Sequence, residues 1–399
     1  MTPTITSPLR ATDLAVDHLL AQLAVSYRFL LDLTPANTAE ERMAFLAGDH
    51  EVPEFSYREL DVDPEVLRAQ LAMVDVDAVA DPVLHHLVSA KRHELELQAD
   101  MLRARGSREF RELSVEAYGE PDAELLAQAE RILASVPSTS DRGERLDAHE
   151  FLALAEAEIA EYAEVFPEAE MHAEVRDGVA GVVVEGDTLL IAPTASVERS
   201  RAMALIHHEV GTHLVTRVNG SEQRLRLLGT GFAGYDETQE GLAVLAEVIC
   251  GQLTTGRLRQ LASRVVAVSA MLRGASFVET HEALTSHGVP RGSAYTTTMR
   301  VHRSGGFTKD AVYLRSLVAL LRHVRDGGSL EQCWVGKFAL DDLPRIEHLA
   351  AAGAISEPLL IPRYLLLPHA TDRLMTAAAQ ADDLPSLANA NGASAPAVP

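Results

Sequence analysis

Apolar residues recur at helical spacing through most of the chain and alternate as short extended runs in only one stretch. From Asp13 to Leu33, Leu14, Val16, Leu19, Leu20, Leu23, Ala24, Tyr27, Leu30 and Leu31 follow that spacing behind an Asp cap, which predicts a helix. Asn37, Thr38 and Glu41 read as the start of another, residues 81 to 105 as a long one, and residues 120 to 134 as one more. Pro137 to Gly143 is the clearest linker signal, and it predicts a boundary between a helical N-terminal region, 13–140, and a second region, 146–383. The second region opens with a helix over Asp147 to Glu164. Three short runs with strand character follow, Met171 to Arg176, Val179 to Val184 and Asp187 to Ala192, the last two joined at Glu185-Gly186 as a hairpin.

Beyond the strands the pattern is helical again. Ser196 reads as a cap with Glu198 in the first turn, and the helix that follows buries Val197, Met203, Leu205, Ile206 and Val210 and ends near His213. Residues 214 to 237, with their several glycines, read as a connection. A helix then begins at Asp236 and Thr238, with Leu242, Leu245, Val248 and Ile249 inward, and further helices are expected at 257 to 272, 277 to 286, 309 to 325 and 341 to 352. The fold class expected is therefore α+β and mostly helical, with a small sheet beside one helix. Residues 1–12 are polar and read as a flexible N-terminus, and residues 384–399, rich in Ala, Asn, Ser and Pro, read as a disordered tail.

The chemistry sits on two of these helices. His207-His208-Glu209-Val210-Gly211-Thr212-His213 lies at the end of one, and Glu240 opens the other. Two imidazoles and a carboxylate suit three positions of a tetrahedral zinc site, with the fourth left for water, and Glu209 stands next to His208 to take that water's proton. The spacing is unusual for such a site. Histidines four apart lie about 40° from eclipsed on a helix, whereas His208 and His213, five apart, would be separated by about 140°. Either a one-residue π-bulge or a break at Gly211 is needed to bring them together. His207, six residues before His213, reads as a packing residue. Glu247, seven residues beyond Glu240 and on the same helix face, is the rival third ligand.

His-Glu pairs alone carry little weight, because four others occur, at His50, His93, His149 and His281. His281 and His287 read as an exposed helix end, and His86 and His93 as a solvated or internally satisfied pair.

Composition narrows the picture further. With 399 residues, 47% apolar and 23% charged, the chain is of ordinary globular make-up. The net charge of -23 argues against nucleic acid or an anionic membrane as the main partner. The expectation is no nucleic acid, no membrane and no signal peptide, since no run approaches 18 apolar residues. Two cysteines in apolar settings, Cys250 and Cys333, make no disulfide framework and suit a reducing cytoplasm.

His208-Glu209-Val210-Gly211-Thr212-His213, then Thr238-Gln239-Glu240-Gly241-Leu242-Ala243, then Gly305-Gly306-Phe307-Thr308-Lys309-Asp310-Ala311-Val312-Tyr313-Leu314, resemble in order the motifs of the QEGLA-motif family. Bacterial members of that family carry the name flavohemoglobin expression-modulating QEGLA motif protein, and its animal members include the microtubule-associated tyrosine carboxypeptidase. The likeness runs from about residue 15 to about residue 365. It implies a zinc metallopeptidase-like catalytic region, one zinc ion per chain on His208, His213 and Glu240, Glu209 as catalytic acid/base, and carboxypeptidase activity on a peptide or protein C-terminus. In zinc peptidases a strand placed like Thr188 to Ala192 often borders the cleft, with an edge that can pair with an extended peptide.

A carboxypeptidase also needs donors for the substrate's terminal carboxylate. Arg300, Arg303 and Lys309 cluster at a helix start and are the candidates; Tyr313, one turn after Lys309, could donate to the oxyanion. The alternatives are a non-catalytic zinc-binding regulator and a zinc hydrolase acting on a non-peptide amide. The animal members' preference for a C-terminal aromatic residue on tubulin does not carry over, because a strongly acidic chain suits acidic tubulin tails poorly. Oligomeric state is left open by the sequence.

Overall fold

The computed structural model describes residues 9–49, 52–138, 143–179 and 181–390. Helices dominate it, and the only strands among the described residues lie between 145 and 198. Asp81 and Asp147 cap the helices Pro82–Arg103 and Ala148–Val165, each accepting two backbone N–H bonds, as short acidic side chains at helix starts do. The expected helix from Asp13 to Leu33 is two helices, Ala11–Ala24 and Phe29–Asp32, interrupted at 25–28. By length and composition the stretch Ala11–Asp32 could cross a membrane. That break interrupts it, and it buries Asp13 and Asp17. Asp17 accepts from the backbone N–H groups of Arg226 and Leu227, and Asp13 from that of Ala80. The helix is thus tied into the protein core by its polar residues.

Among the described residues the sequence reading misses Pro64–Ala72, Arg108–Tyr118, Arg291–His302 and Ala370–Ala379, and, inside the stretch 214–237 read as a connection, Val215–Ser221 and Leu227–Thr230. The stretch expected to be disordered from residue 384 is helical as far as it is described. Leu384–Ser386 forms a 3-10 turn and Leu387–Ala390 a short helix, with Leu384 and Leu387 buried in the main core. Residues 391–399, and most of the expected flexible N-terminus, lie outside the described residues.

The segment 137–143, four of whose residues are also outside the description, does not separate two cores. Leu20, Leu67, Leu84, Leu95 and Phe110 from the N-terminal region pack in one cluster with Leu228, Phe232, Phe307, Phe338 and Ile346. Leu125, Ala129 and Ile132, from the helix Ala123–Ser135, join Leu258, Leu261 and Val265 in another. Linker composition marks where the chain crosses the surface; it does not say which apolar faces meet afterwards.

Three strands make the small sheet: β2 (His172–Val175), β3 (Val182–Glu185) and β4 (Thr188–Ile191), in the order β2-β4-β3. β4 runs parallel to β2 and antiparallel to β3, with the turn at Gly186 in the left-handed region that favours glycine. β4 is therefore the central strand with both sides paired, and the expectation of a free edge on it is not met. A second, two-stranded pair joins β1 (Arg145–Leu146) to β5 (Val197–Glu198). That pairing displaces the expected cap at Ser196, whose hydroxyl instead accepts from Arg145 Nε at 2.8 Å. Leu189 and Ile191 of β4 pack with Phe151, Tyr162, Ile206, Val210 and Leu214, which sets the sheet against one flank of the histidine-bearing helix.

Candidate metal centre

The helix expected to end near His213 runs on to residue 221. It is α-helical over Ala202–His208, a π-helix over Glu209–Leu214, and α-helical again over Val215–Ser221. Of the two geometries that could bring His208 and His213 together, the structure has the π-bulge. A widened turn returns a residue five positions on to the same side, so the two imidazoles stand edge to face with centroids 5.3 Å apart. Gly211 sits in close quarters here: a Cβ on it would lie 3.2 Å from the Tyr364 ring, tight enough to press on it, and 3.5 Å from the Tyr162 hydroxyl. The Thr212 hydroxyl donates to the carbonyl of His207 at 3.0 Å and lies 3.2 Å from Tyr364 Oη, so the far side of the bulge is pinned by side chains.

The second helix, Tyr235–Ile249, crosses this one and presents Glu240. Glu240 Oε2 lies 3.9 Å from His208 Nε2 and 3.9 Å from His213 Nε2, beyond hydrogen-bond distance, and the three candidate ligand atoms all fall within 4.8 Å of one another. Glu240 Oε1 is already engaged. It accepts from Tyr313 Oη at 2.9 Å and from Lys309 Nζ at 3.3 Å, and Lys309 also pairs with Asp236 at 3.5 Å.

Glu247 is not among the converging ligand atoms. Its Oε1 is 3.0 Å from His208 Nδ1, and the Arg257 guanidinium holds it through Nε at 3.1 and 3.2 Å, with Arg201 at 3.5 Å on the other oxygen. A carboxylate on the rear nitrogen of an imidazole fixes its tautomer and leaves Nε2 as the acceptor. The seven-residue spacing had marked Glu247 as sharing a face with Glu240. That Arg257 would clamp it had no sequence signal.

Electrostatics holds His213 and Glu240 in the forms that could bind a cation. Burial pushes the pKa of His213 down to about 3, so the ring is neutral. For Glu240 burial works against ionisation, yet Lys309, the two histidines and the Tyr313 hydrogen bond together hold the carboxyl down to about 2. Glu247 is likewise held well below the carboxylate range against its burial, chiefly by Arg257. Glu209 differs from both. Burial raises its pKa to about 7, with His208 opposing and the Glu240 charge adding to the rise.

The other expected site residues are placed as follows. Arg300 is spent on Asp310, through Nε at 2.6 Å and Nη2 at 2.7 Å. Arg303 is buried with Nη1 on Thr34 Oγ1 at 2.9 Å and its guanidinium over the Phe307 ring. Lys309 and Tyr313 do lie at the centre, as partners of Glu240. His207 is buried on the rear of the helix, 3.6 Å from Glu158 and against Tyr364. His281, expected at an exposed helix end, is buried, bonded to the Arg291 carbonyl and packed on Phe45.

The donor set suits a borderline divalent cation: two neutral imidazoles, one oriented by a carboxylate, and an ionised glutamate with one oxygen turned toward them. Against known proteins, residues 44–382 match the family model described as microtubule-associated tyrosine carboxypeptidase. No curated protein matches the chain at a significant level.

Proposed function

Since the chain belongs to the microtubule-associated tyrosine carboxypeptidase family, a family of carboxypeptidase-type peptidases, we propose that it is a zinc-dependent carboxypeptidase whose ion is held by His208, His213 and Glu240. The observation that carries this reading is the convergence of those three ligand atoms across a π-bulge, with Glu209 buried beside them. A zinc ion bound there would acidify a water molecule and polarise the scissile carbonyl.

The chain's own residues do the rest. Glu247 and Arg257 hold the His208 ring in the orientation that offers Nε2. Lys309 and Tyr313 occupy Glu240 Oε1 and so direct Oε2 to the imidazoles. Glu209, with its carboxyl near neutrality, takes a proton from the attacking water onto a carboxylate oxygen and passes it to the leaving amine nitrogen. A C-terminal tyrosine, named in the family's description, is the first residue to try at the end of a test peptide.

Zinc content by elemental mass spectrometry on wild type, His208→Ala and Glu240→Ala tests the centre. About one zinc per chain in the wild type, lost in both variants, is expected. A wild type free of zinc after purification without chelator, and unable to take it up, would return these residues to a structural role.

A further inference from the structure

Arg300, Arg303 and Lys309 carry the sequence expectation for a carboxylate receptor, and all three are engaged within the protein: with Asp310, with Thr34 and Phe307, and with Glu240 and Asp236. The same is true of most cations nearby. Arg257 clamps Glu247, and Arg315 makes a bidentate pair with Glu237. In a chain whose net charge is -23 such pairing is the rule to expect.

Two cations beside the metal centre depart from it. Arg217 lies four residues beyond His213 on the same helix, one turn on and on the same face. Its guanidinium meets the hydroxyl of Ser221 and makes no ion pair among the described residues. Lys337 approaches from the loop between the turns Glu331–Trp334 and Leu340–Asp342. Its position is set by the backbone: its N–H donates to the Leu228 carbonyl at 2.7 Å, and its own carbonyl accepts from Phe232 at 3.0 Å. Gly336, just before it, lies so close to Leu228 that a Cβ would meet that residue at 2.7 Å. The Lys337 ammonium stands 6.0 Å from the centroid of the Tyr235 ring and has neither a hydrogen bond nor an ion pair among the described residues.

Both side chains are partly buried. The charge of Lys337 is felt at His213, and that of Arg217 at Lys337; burial first, and Arg217 second, push the lysine down to about 8. Two like charges in a partly desolvated place, opposed at Lys337 by Asp236 without an ion pair to it among the described residues, store an electrostatic cost that an incoming anion relieves. Arg300, Lys309, Arg257 and Arg315 are neutralised by carboxylates, whereas this pair lies beside the candidate ligand His213 without one in ion-pair contact among the described residues.

Resting on the peptidase reading, we propose that Arg217 and Lys337 form the receptor for the terminal carboxylate of the peptide substrate. Arg217 presents a planar fork suited to a carboxylate, and Lys337 adds a point charge. The pair thus restricts the enzyme to free C-termini and sets which peptide bond reaches the metal centre.

The test measures binding of a tyrosine-ending peptide and of its C-terminal amide to the zinc-loaded full chain carrying Glu209→Gln, which removes turnover from the measurement. The free acid is expected to bind about tenfold or more tightly than the amide, the scale of one charge-assisted contact. Lys337→Met and Arg217→Gln should each erode that preference, the two together abolish it, and Lys337→Arg retain it, with zinc content unchanged throughout. Equal binding of acid and amide before any receptor substitution, or a preference that survives the paired substitution, overturns the proposal. Release of free tyrosine by the wild type is scored separately. If wild type releases none while the acid preference behaves as described, the peptidase reading falls and the anion receptor stands.

Discussion

Tyr313 touches two buried charge clusters that would be hard to tell apart by composition. Its hydroxyl donates to Glu240 in the candidate metal centre, and its ring lies under Arg264, 4.4 Å from the guanidinium, which pairs with Asp310 at 3.7 Å. In the second cluster the carboxylate is fully engaged. Asp310 is 1% exposed, both its oxygens accept from Arg300, and burial's opposition to its charge is overcome by Arg300 and Arg264. The first cluster is open at its centre: Glu240 Oε1 and His208 Nδ1 are engaged from outside, while His208 Nε2, His213 Nε2 and Glu240 Oε2 face one another beyond hydrogen-bond distance. A structural cluster spends its polar atoms on one another, because an unpaired buried charge is expensive. A cluster in which three candidate ligand atoms converge without bonding one another has the arrangement that a bound cation would fill.

The sharpest way to break that comparison is Glu209→Gln, which should keep zinc and lower kcat by about 10²–10⁴-fold, read as release of the C-terminal residue; a variant near wild-type activity would remove Glu209 from the chemistry. Asp310→Ala should act in the opposite sense. Leaving Arg300 and Arg264 without their carboxylate is expected to cost about 3–5 kcal/mol of stability, seen as a lowered Tm, with zinc content per folded chain unchanged. Loss of zinc from that variant would show that the two clusters are one.

Glu247→Gln comes next and sharpens the division within the metal centre. If Glu247 orients His208, zinc affinity should fall about 10–100-fold in a competition titration, with some zinc still bound at saturation. Complete loss, equal to that of Glu240→Ala, would restore Glu247 as a ligand. Tyr313→Phe should have the smallest effect, since Lys309 still holds Glu240 Oε1. The loss of one hydrogen bond to a carboxylate is worth about 1.5 kcal/mol, or roughly tenfold in zinc affinity. No change at all would make Tyr313 a packing residue of the Asp310 cluster.

Much of the candidate site is legible in the chain because it is local. His208, Glu209 and His213 fall within six residues, and their five-residue spacing admits only a bulge or a break if they are to meet. The structure adds the surroundings of the bulge's glycine, since Tyr162 and Tyr364 fill the space beside Gly211 from far along the chain. The elements themselves were mostly readable, since apolar period and Asp caps are local too. Ser196 misled because strand pairing with Arg145–Leu146 outcompeted a helix cap. The tail at 384–390 misled because two buried leucines, Leu384 and Leu387, outweigh a disorder-prone composition.

Residue types and their order thus mark the pair of helices on which His208, His213 and Glu240 converge, with Glu209 beside them, and a carboxypeptidase family relationship. What each charged side chain does with its charge was settled by packing. Lys309 and Tyr313 reach Glu240 across separations of 69 and 73 residues, Arg300 meets Asp310 in a closed bidentate pair, and Glu247 turns from a ligand face to the back of His208 under Arg257. A charge has a long-range field and a short-range partner. Only the folded distances say which carboxylate arrives first, and which cations, like Arg217 and Lys337, make no ion pair among the described residues.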